Sequence, residues 1–307
     1  MIAMNKKYLP LASPIYWPAW FAISILWLIT RLPYRWQIKI GEALGRTFYY
    51  FPTKFKQITE TNIKLCFPKY TPEQRDLLTK KNFAAVGVGI IEAGMAWWLP
   101  DHKLQLLYKI HGYEHVEAGF AKGKGVILVG PHFTCLEMIN RLLGMQYTFA
   151  VMYRPHKKLM VSFIHERFRK RDSVQFVQRH RMRDLLRVLE DNRAIWYAYD
   201  VDGGNKRTVF APLFGIQTAS LTTVTRIVKR SGATVIPISF YRRDEGKEIG
   251  YDIFLSPPLE NFPSGDLVED ATRLNATVEQ GILKKPEQYV WQYKRFKTRP
   301  EGEKRLY

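Results

Sequence analysis

Gly125-Val-Ile-Leu-Val-Gly-Pro-His132-Phe-Thr-Cys-Leu-Glu137 is the stretch from which the rest of the chain can be read. Val126 to Val129 form a short apolar run bounded by glycines, which predicts a buried strand. Thr134 to Glu137 match Ser/Thr-x-x-Glu ahead of the apolar Met138-Ile139 and Leu142-Leu143, which predicts a capping box and a helix start. His132 therefore stands where a strand ends and a helix begins, the position at which open α/β sheets bind ligands. A helix N-terminus disfavours imidazolium, so it would keep His132 neutral and available as a base. Glu137 is placed to reach back, fix the imidazole tautomer and stabilise the cation formed on proton uptake. Free N–H groups at the same terminus would face a developing oxyanion. A positioned His–carboxylate pair without a protein nucleophile suits transfer of an acyl group directly onto a substrate hydroxyl. The plainer alternative makes Glu137 a cap and His132 a loop residue.

Outward from this stretch, strands and helices alternate. Strands are predicted at residues 125–129, 148–153, 194–199, 234–240 and 251–255, and helices at 137–145, 159–171, 182–191, 220–231 and 267–284. This is an α/β pattern with a mixed, mainly parallel central sheet flanked by helices. Before it come predicted helices at 35–50 and 55–65, a helix start at Thr71-Pro-Glu-Gln, and an apolar helix from Asn82 to Leu99. Gly87-Val-Gly89-Ile-Ile-Glu92 lacks the last glycine of a dinucleotide fingerprint and no strand precedes it, so core packing explains it.

The N-terminus carries a different signal. Leu11 to Thr30 has no charged residue and includes Trp17, Trp20, Phe21 and Trp27, close to the ~20 residues of a bilayer-spanning helix. Lys6 and Lys7 precede it, and Arg31, Arg35 and Lys39 follow. The expected organisation is a membrane-associated helical extension over residues 1–35 and a catalytic domain over 36–307, with span or surface insertion left open. The net charge of +19 over 307 residues implies an anionic partner: nucleic acid, acidic lipid or an acidic protein. Two cysteines, Cys66 and Cys135, form neither a disulfide framework nor a metal-ligand spacing.

Other motifs carry weaker signals. His111-Gly-Tyr-Glu-His115 has histidines at i, i+4, but Gly112 weakens a helix and no third ligand is near, so a surface turn is predicted and no metal. No Gly-x-Ser-x-Gly elbow exists. Arg154 follows a predicted strand, as His132 does, and is expected to bind substrate on the same rim. The basic run beyond it, with Arg167, Arg169, Lys170 and Arg171, is expected to be a docking face. Asp200-Val-Asp202-Gly203-Gly204 follows another strand. One carboxylate is expected to orient an arginine or a substrate hydroxyl, the other to form a turn.

Several motifs then stand in one order: His132-Phe-Thr-Cys-Leu-Glu137, Tyr153-Arg154-Pro155, Asp200-Val-Asp202-Gly203, Phe210-Ala-Pro-Leu-Phe214-Gly215, Val235-Ile-Pro237, and Pro286-Glu-Gln-Tyr-Val-Trp291-Gln-Tyr-Lys-Arg295-Phe-Lys-Thr-Arg-Pro300. With Asn62-Ile-Lys-Leu-Cys-Phe-Pro68 and Glu92-Ala-Gly-Met-Ala-Trp97, the chain resembles the late (lauroyl/myristoyl) acyltransferases of bacterial lipid A biosynthesis, within the glycerolipid acyltransferase-like superfamily. The resemblance implies an enzyme of the Gram-negative inner membrane, its active site facing the cytoplasm. Such an enzyme moves a fatty acyl chain from acyl carrier protein to the hydroxyl of a 3-hydroxyacyl chain on a Kdo-lipid A precursor, without a cofactor. The His-x4-Asp/Glu pair carries over to His132 and Glu137 as catalytic residues, and Arg154, Asp200, Asp202 and Arg295 are expected to bind substrate. The basic cluster Arg167, Arg169, Lys170 and Arg171 would then dock the acidic carrier protein. A glycerolipid acyltransferase and a basic, membrane-associated nucleic-acid-binding protein are the alternatives. No nucleic-acid module is present, and the acidic turn departs from the glycerol-phosphate form.

Overall fold

A computed structural model describes residues 6–153, 158–169, 174–178, 181–243 and 248–307. Its N-terminal layer is helical: α1 (Trp17–Ile29), α2 (Tyr34–Tyr49), α3 (Lys54–Cys66), α4 (Pro72–Trp98) and the single turn α5 (Asp101–Leu104). Then β1 (Tyr108–His111), α6 (Tyr113–Ala121), β2 (Val126–Gly130), α7 (Leu136–Leu143) and β3 (Phe149–Tyr153) follow. After them come α8 (Leu159–Ile164), a π-helical turn, β4 (Val174–Gln178), α9 (Met182–Glu190) and β5 (Ala194–Ala198). The hairpin β6 (Thr208–Leu213)–β7 (Ile216–Leu221), α10 (Thr223–Ser231), β8 (Thr234–Arg243), β9 (Gly250–Leu255) and α11 (Leu267–Lys284) complete the chain.

The seven-stranded sheet runs β1-β9-β8-β2-β5-β3-β4, and every neighbouring pair is parallel except β8–β9. The expected class is therefore the observed one. β2 lies at its centre, buried along its whole length, as a parallel strand covered on both faces must be. Its order reverses beside β2: the chain builds outward to β3 and β4 on one side and returns to β8 and β9 on the other. The C-terminal end of β2, where His132 follows, is the resulting crevice.

Alternate residues of β8 show what covers each face. Arg242 bonds Glu92 of α4 (3.1 Å), and a Cβ on Gly119 of α6 would stand 3.6 Å from Ile236, so these helices share a face. Tyr241 looks the other way and donates to the Gly281 carbonyl of α11 (2.7 Å). Tyr197 of β5 shares that second face through its register with Val129 and Pro237, and it hydrogen-bonds Thr223 of α10, beside which α9 packs. α1, α2 and α3 all pack on α4. The N-terminal layer and the α9–α10 pair thus lie on opposite faces of the sheet.

The α4 start behaves as its sequence predicts. The Thr71 side chain accepts from the Gln74 N–H, and the Gln74 side chain accepts from the Thr71 N–H. The Gly87–Gly89 stretch is packing: Gly87 meets Gly41 and Gly45 of α2, and a Cβ at Gly89 would stand 2.5 Å from the Thr134 carbonyl oxygen. The missing side chain lets α4 lie directly on the histidine loop.

Three expectations are corrected. The capping box at Thr134 does not form: α7 begins after Cys135 with no side-chain cap, and Thr134 Oγ1 is buried without a partner. The Thr134 N–H is taken by the Gln288 carbonyl (2.8 Å), a tertiary contact that local spacing cannot announce. Residues 220–231 do not begin as helix, because Ser220 and Leu221 finish β7. The uncharged N-terminal run does not form one helix long enough to span a bilayer. α1 has 13 residues, about 20 Å at 1.5 Å per residue against a ~30 Å hydrocarbon core. Among the described residues no helix is long and apolar enough to span a membrane. α1 also buries none of its residues, and Trp17 (63 % exposed), Phe21 and Leu28 face outward.

Candidate active site

His132 sits two residues past Gly130, where β2 passes β8 so closely that a Cβ would stand 2.3 Å from the Ile238 carbonyl oxygen. Pro131 then turns the chain out of the sheet. The loop is held from two sides. The His132 N–H donates to Asp200 Oδ2 (2.8 Å), from the segment just beyond β5. The His132 carbonyl accepts from the Val290 N–H (3.0 Å), and Phe133 and Tyr289 form an isolated antiparallel bridge. The C-terminal segment is a clamp, itself fixed by two buried asparagines. Asn62 of α3 donates to the carbonyls of Trp291 (2.7 Å) and Tyr293 (2.8 Å), and Asn82 of α4 to those of Glu287 (2.9 Å) and Tyr289 (2.7 Å). That is why the Asn62 motif and the Pro286–Pro300 motif occur together.

The histidine ring is oriented by the same carboxylate that holds its backbone. His132 Nδ1 lies 2.8 Å from Asp200 Oδ1. An ionised carboxylate only accepts, so Nδ1 carries the proton and Nε2 is left with its lone pair. Asp200 is buried at 3 % exposure, whereas the His132 side chain is 35 % exposed, which gives an open nitrogen on a sealed anchor. Tyr289 provides a further hydrogen bond to Asp200. Burial, with the Asp200 charge, pushes that phenol well above its ordinary range and keeps it a donor.

Burial pulls the His132 pKa down, but the charge and hydrogen bond of Asp200 outweigh it, leaving the imidazole above its ordinary 6.5. Burial likewise pushes Asp200 up, and the His132 charge and hydrogen bonds outweigh it, holding the carboxyl below 3.8. The helix-start argument pointed the other way for His132. A helix terminus contributes ~0.3–1 kcal/mol, whereas unit charges 4 Å apart near a protein surface interact by ~4 kcal/mol. The carboxylate wins.

The orienting role expected of Glu137 is therefore filled by Asp200. Glu137 stands half-buried in the first turn of α7. The oxyanion role read for this terminus loses three donors: the N–H groups of His132, Thr134 and Leu136 are spent on Asp200, Gln288 and Phe133. Asp202 is the turn-forming member of its pair. Its Oδ1 accepts from the Gly204 N–H (2.9 Å) and Thr298 hydroxyl (2.8 Å), and its Oδ2 from the Thr298 N–H (2.7 Å), which ties the clamp to the Asp200 loop. Arg295 is not at a ligand surface. It is 2 % exposed, and its guanidinium donates to Ala219 O (3.0 Å), Ser220 Oγ (3.4 Å) and Asn275 Oδ1 (3.4 Å), so it bolts the clamp to β7 and α11. Arg154, Lys170 and Arg171 lie outside the described residues, as does the Arg169 side chain; the Arg167 guanidinium lies over the Phe168 ring, 6.0 Å from its centroid.

Other candidates fall away. Cys135 is three residues from His132 but fully buried, and burial pushes its thiol far up, so it is no nucleophile. His111 ends β1 rather than lying in a turn; it bonds Asp252 (3.1 Å) and stacks on Phe254. Among the described residues no cluster could hold a metal ion. Sequence reasoning missed Asp200 as the histidine's partner and Tyr289 as a support. The available signal was that Asp200 and His132 both follow predicted strands.

A His–carboxylate pair at a parallel strand end is an arrangement that can serve as a general base in acyl transfer. The comparisons agree with this class. The profile of bacterial lipid A biosynthesis acyltransferases matches residues 4–298, and the chain belongs to that family. It is 36 % identical to the lipid A biosynthesis lauroyltransferase of Escherichia coli K12 over 303 residues, 98 % of each chain. It is 33 % identical to the palmitoleoyltransferase of the same strain over 295 residues, 96 % of this chain and 95 % of the relative. Identity to the myristoyltransferase of that strain is 25 % over 307 residues, 97 % and 94 % of the two chains. The chain is thus an acyltransferase of lipid A biosynthesis, which decides against the nucleic-acid-binding reading.

Proposed function

We propose that the enzyme moves a fatty acyl chain from acyl carrier protein to the hydroxyl of a 3-hydroxyacyl chain on a Kdo-lipid A precursor, with His132 as general base. The observation that carries this reading is the pinned Nδ1: with Asp200 holding it at 2.8 Å, Nε2 is the nitrogen free to take a proton. The hydroxyl loses its proton to Nε2 as its oxygen bonds the thioester carbonyl carbon. The C–S bond then breaks, and the imidazolium returns the proton to the departing thiolate. No acyl-enzyme is needed, in keeping with the buried Cys135. Glu137 and Arg154 are proposed to act on the substrate side of the base.

The donor chain is proposed to lie in a cavity of about 330 Å³ between α1, α2, α4 and α8, lined by Ile23, Leu26, Leu44, Ile91, Trp97 and Ile164 among other side chains. Attachment to the inner membrane from its cytoplasmic side is proposed to be interfacial. Exposed Trp17, Phe21, Trp36, Phe48 and Phe55 on α1–α3 would enter the headgroup region, with Arg31 and Lys39 beside Trp27 and Trp36. The deciding experiment incubates the enzyme with a tetra-acylated precursor and a mixture of acyl carrier protein thioesters, and reads the products by mass spectrometry. Addition of one acyl mass to a 3-hydroxyacyl chain supports the reading; transfer to glycerol phosphate instead would overturn it.

A further inference from the structure

The sequence points to the basic run at residues 167–171 as a docking face, and the described residues gather a further set of cations between α9 and α10. A groove of about 980 Å³ runs between α9 and α10. Six of its lining residues are Arg183, Arg187, Arg207, Arg226, Lys229 and Arg230, all exposed. Arg183 and Arg187 are spaced i, i+4 on α9, as are Arg226 and Arg230 on α10, so each pair lies on one helix face. Among the described residues none of the six has an ion-pair partner. The single acidic lining residue, Asp184, is already held by Arg181 (2.7 Å). Six like charges around one hollow repel each other and weaken the fold unless an anion answers them. Nothing in the packing of α9 and α10 requires them, since both helices bury their apolar faces without them.

We propose that this groove is the docking surface for the acyl carrier protein, an acidic protein whose surface carboxylates meet the arginine forks. The proposal rests on the donor assigned above and adds the place where that donor binds. Three observations favour a soluble acidic protein over a lipid phosphate. The groove lies on the sheet face opposite the aromatic N-terminal layer, so it points away from the surface that layer would enter. Its cations are exposed and spread over two helices and a loop, which suits a broad carboxylate surface better than one phosphate. Guanidinium forks bind carboxylates through two parallel hydrogen bonds. The groove is also joined to the chemistry. Arg207 lies on the loop that starts at Asp200, and its carbonyl accepts the N–H and hydroxyl of Thr222 (3.1 and 3.0 Å), where α10 begins. A carrier seated there would hold its thioester at the rim that carries His132.

The test uses the full chain and the triple reversal Arg183→Glu/Arg226→Glu/Arg230→Glu, with Lys81→Glu/Lys103→Glu, exposed on α4 and α5 of the N-terminal layer, as an equal-sign control. Three quantities are measured: KM for the acyl carrier protein thioester across a salt series, KM for an acyl-pantetheine thioester, and KM for the acceptor lipid. The triple variant should raise the carrier-donor KM about tenfold or more and flatten its salt dependence, while the other two constants stay within about twofold. The control pair should change none of them. Single Arg→Gln variants, which retain folding more readily, should give graded increases. An unchanged carrier KM, or a rise confined to the acceptor lipid, would overturn the groove as the carrier site, the second outcome marking it as a phosphate site. A wild-type enzyme that ignores the carrier thioester but uses another thioester would overturn the donor assignment itself, and the groove with it.

Discussion

Two acid–base pairs, each with a buried carboxylate, tie strands of this sheet to neighbouring structure, and they serve opposite ends. His132–Asp200 stands at the C-terminal end of β2 and β5, with the imidazole 35 % exposed. Glu92–Arg242 joins α4 to β8 at 0 % and 2 % exposure, bonded at 3.1 Å, with the Tyr251 hydroxyl donating to Glu92 at 2.8 Å and Gln288 bonding both backbone groups of Arg242 at 2.8 Å. In the first pair one nitrogen is left for a ligand. In the second the acid and the base are enclosed together, so it can only hold elements in register. Chemistry follows the open valence, and ion pairing by itself marks neither role.

The largest expected effect lies in the open pair. His132→Ala should lower turnover by about 10⁴-fold, because both base and proton carrier are lost; circular dichroism and carrier binding should match the parent protein. Near-parental turnover by such a folded variant would end the general-base mechanism.

Asp200→Asn should cost up to ~10⁴-fold, since an amide cannot fix the tautomer or stabilise the imidazolium. Asp200 raises the His132 pKa above its ordinary value, so parental activity should climb with pH through an apparent pKa above 6.5. Removing the carboxylate should move that limb to lower pH while the plateau falls. Glu137→Gln should cost less than Asp200→Asn and leave the limb in place. If the Glu137 variant proved the more damaged, or shifted the limb itself, the assignment of Asp200 as the orienting group would have to be exchanged for Glu137.

In the sealed pair the effect should appear in stability. Glu92→Ala strands the Arg242 charge and should destabilise the fold by about 3–5 kcal/mol, measured by denaturant unfolding, whereas Glu92→Leu with Arg242→Met should recover most of it. Activity per folded molecule should persist in both. A selective loss of turnover with normal stability would place Glu92 in the reaction and erase the contrast.

Arg295 belongs with the sealed group, and its removal should be the mildest of these losses. Arg295→Met should cost roughly 1–3 kcal/mol by freeing the Ala219, Ser220 and Asn275 acceptors, with KM for donor and acceptor unchanged. A raised KM without lost stability would restore Arg295 to the substrate site.

Much of the architecture was legible in the chain. The short apolar run before Gly130, the glycine-free α7 with its 3.6-residue apolar repeat, and the Thr71 capping box are local features whose energies depend on neighbours in sequence. So is the position of His132, because a strand followed by Gly-Pro must end there. β4 and the β6–β7 hairpin were missed because Val174–Gln178 and Ile216–Leu221 are short segments stabilised by pairing rather than by a strong repeat of their own. The Thr134 motif had the spacing of a cap, but the Gln288 carbonyl took its N–H from 154 residues away in sequence.

What the sequence alone determined, then, is the class of fold, the position of His132 at a strand end and the presence of a large cationic excess. Only the tertiary structure decided which carboxylate serves the base, which arginine is scaffold, and where unpaired cations gather. Strand and helix periods depend on residues a few positions apart. Hydrogen bonds such as His132–Asp200 join residues that the sheet order brings side by side from separate strands, and one carboxylate looks like another until burial and distance separate them.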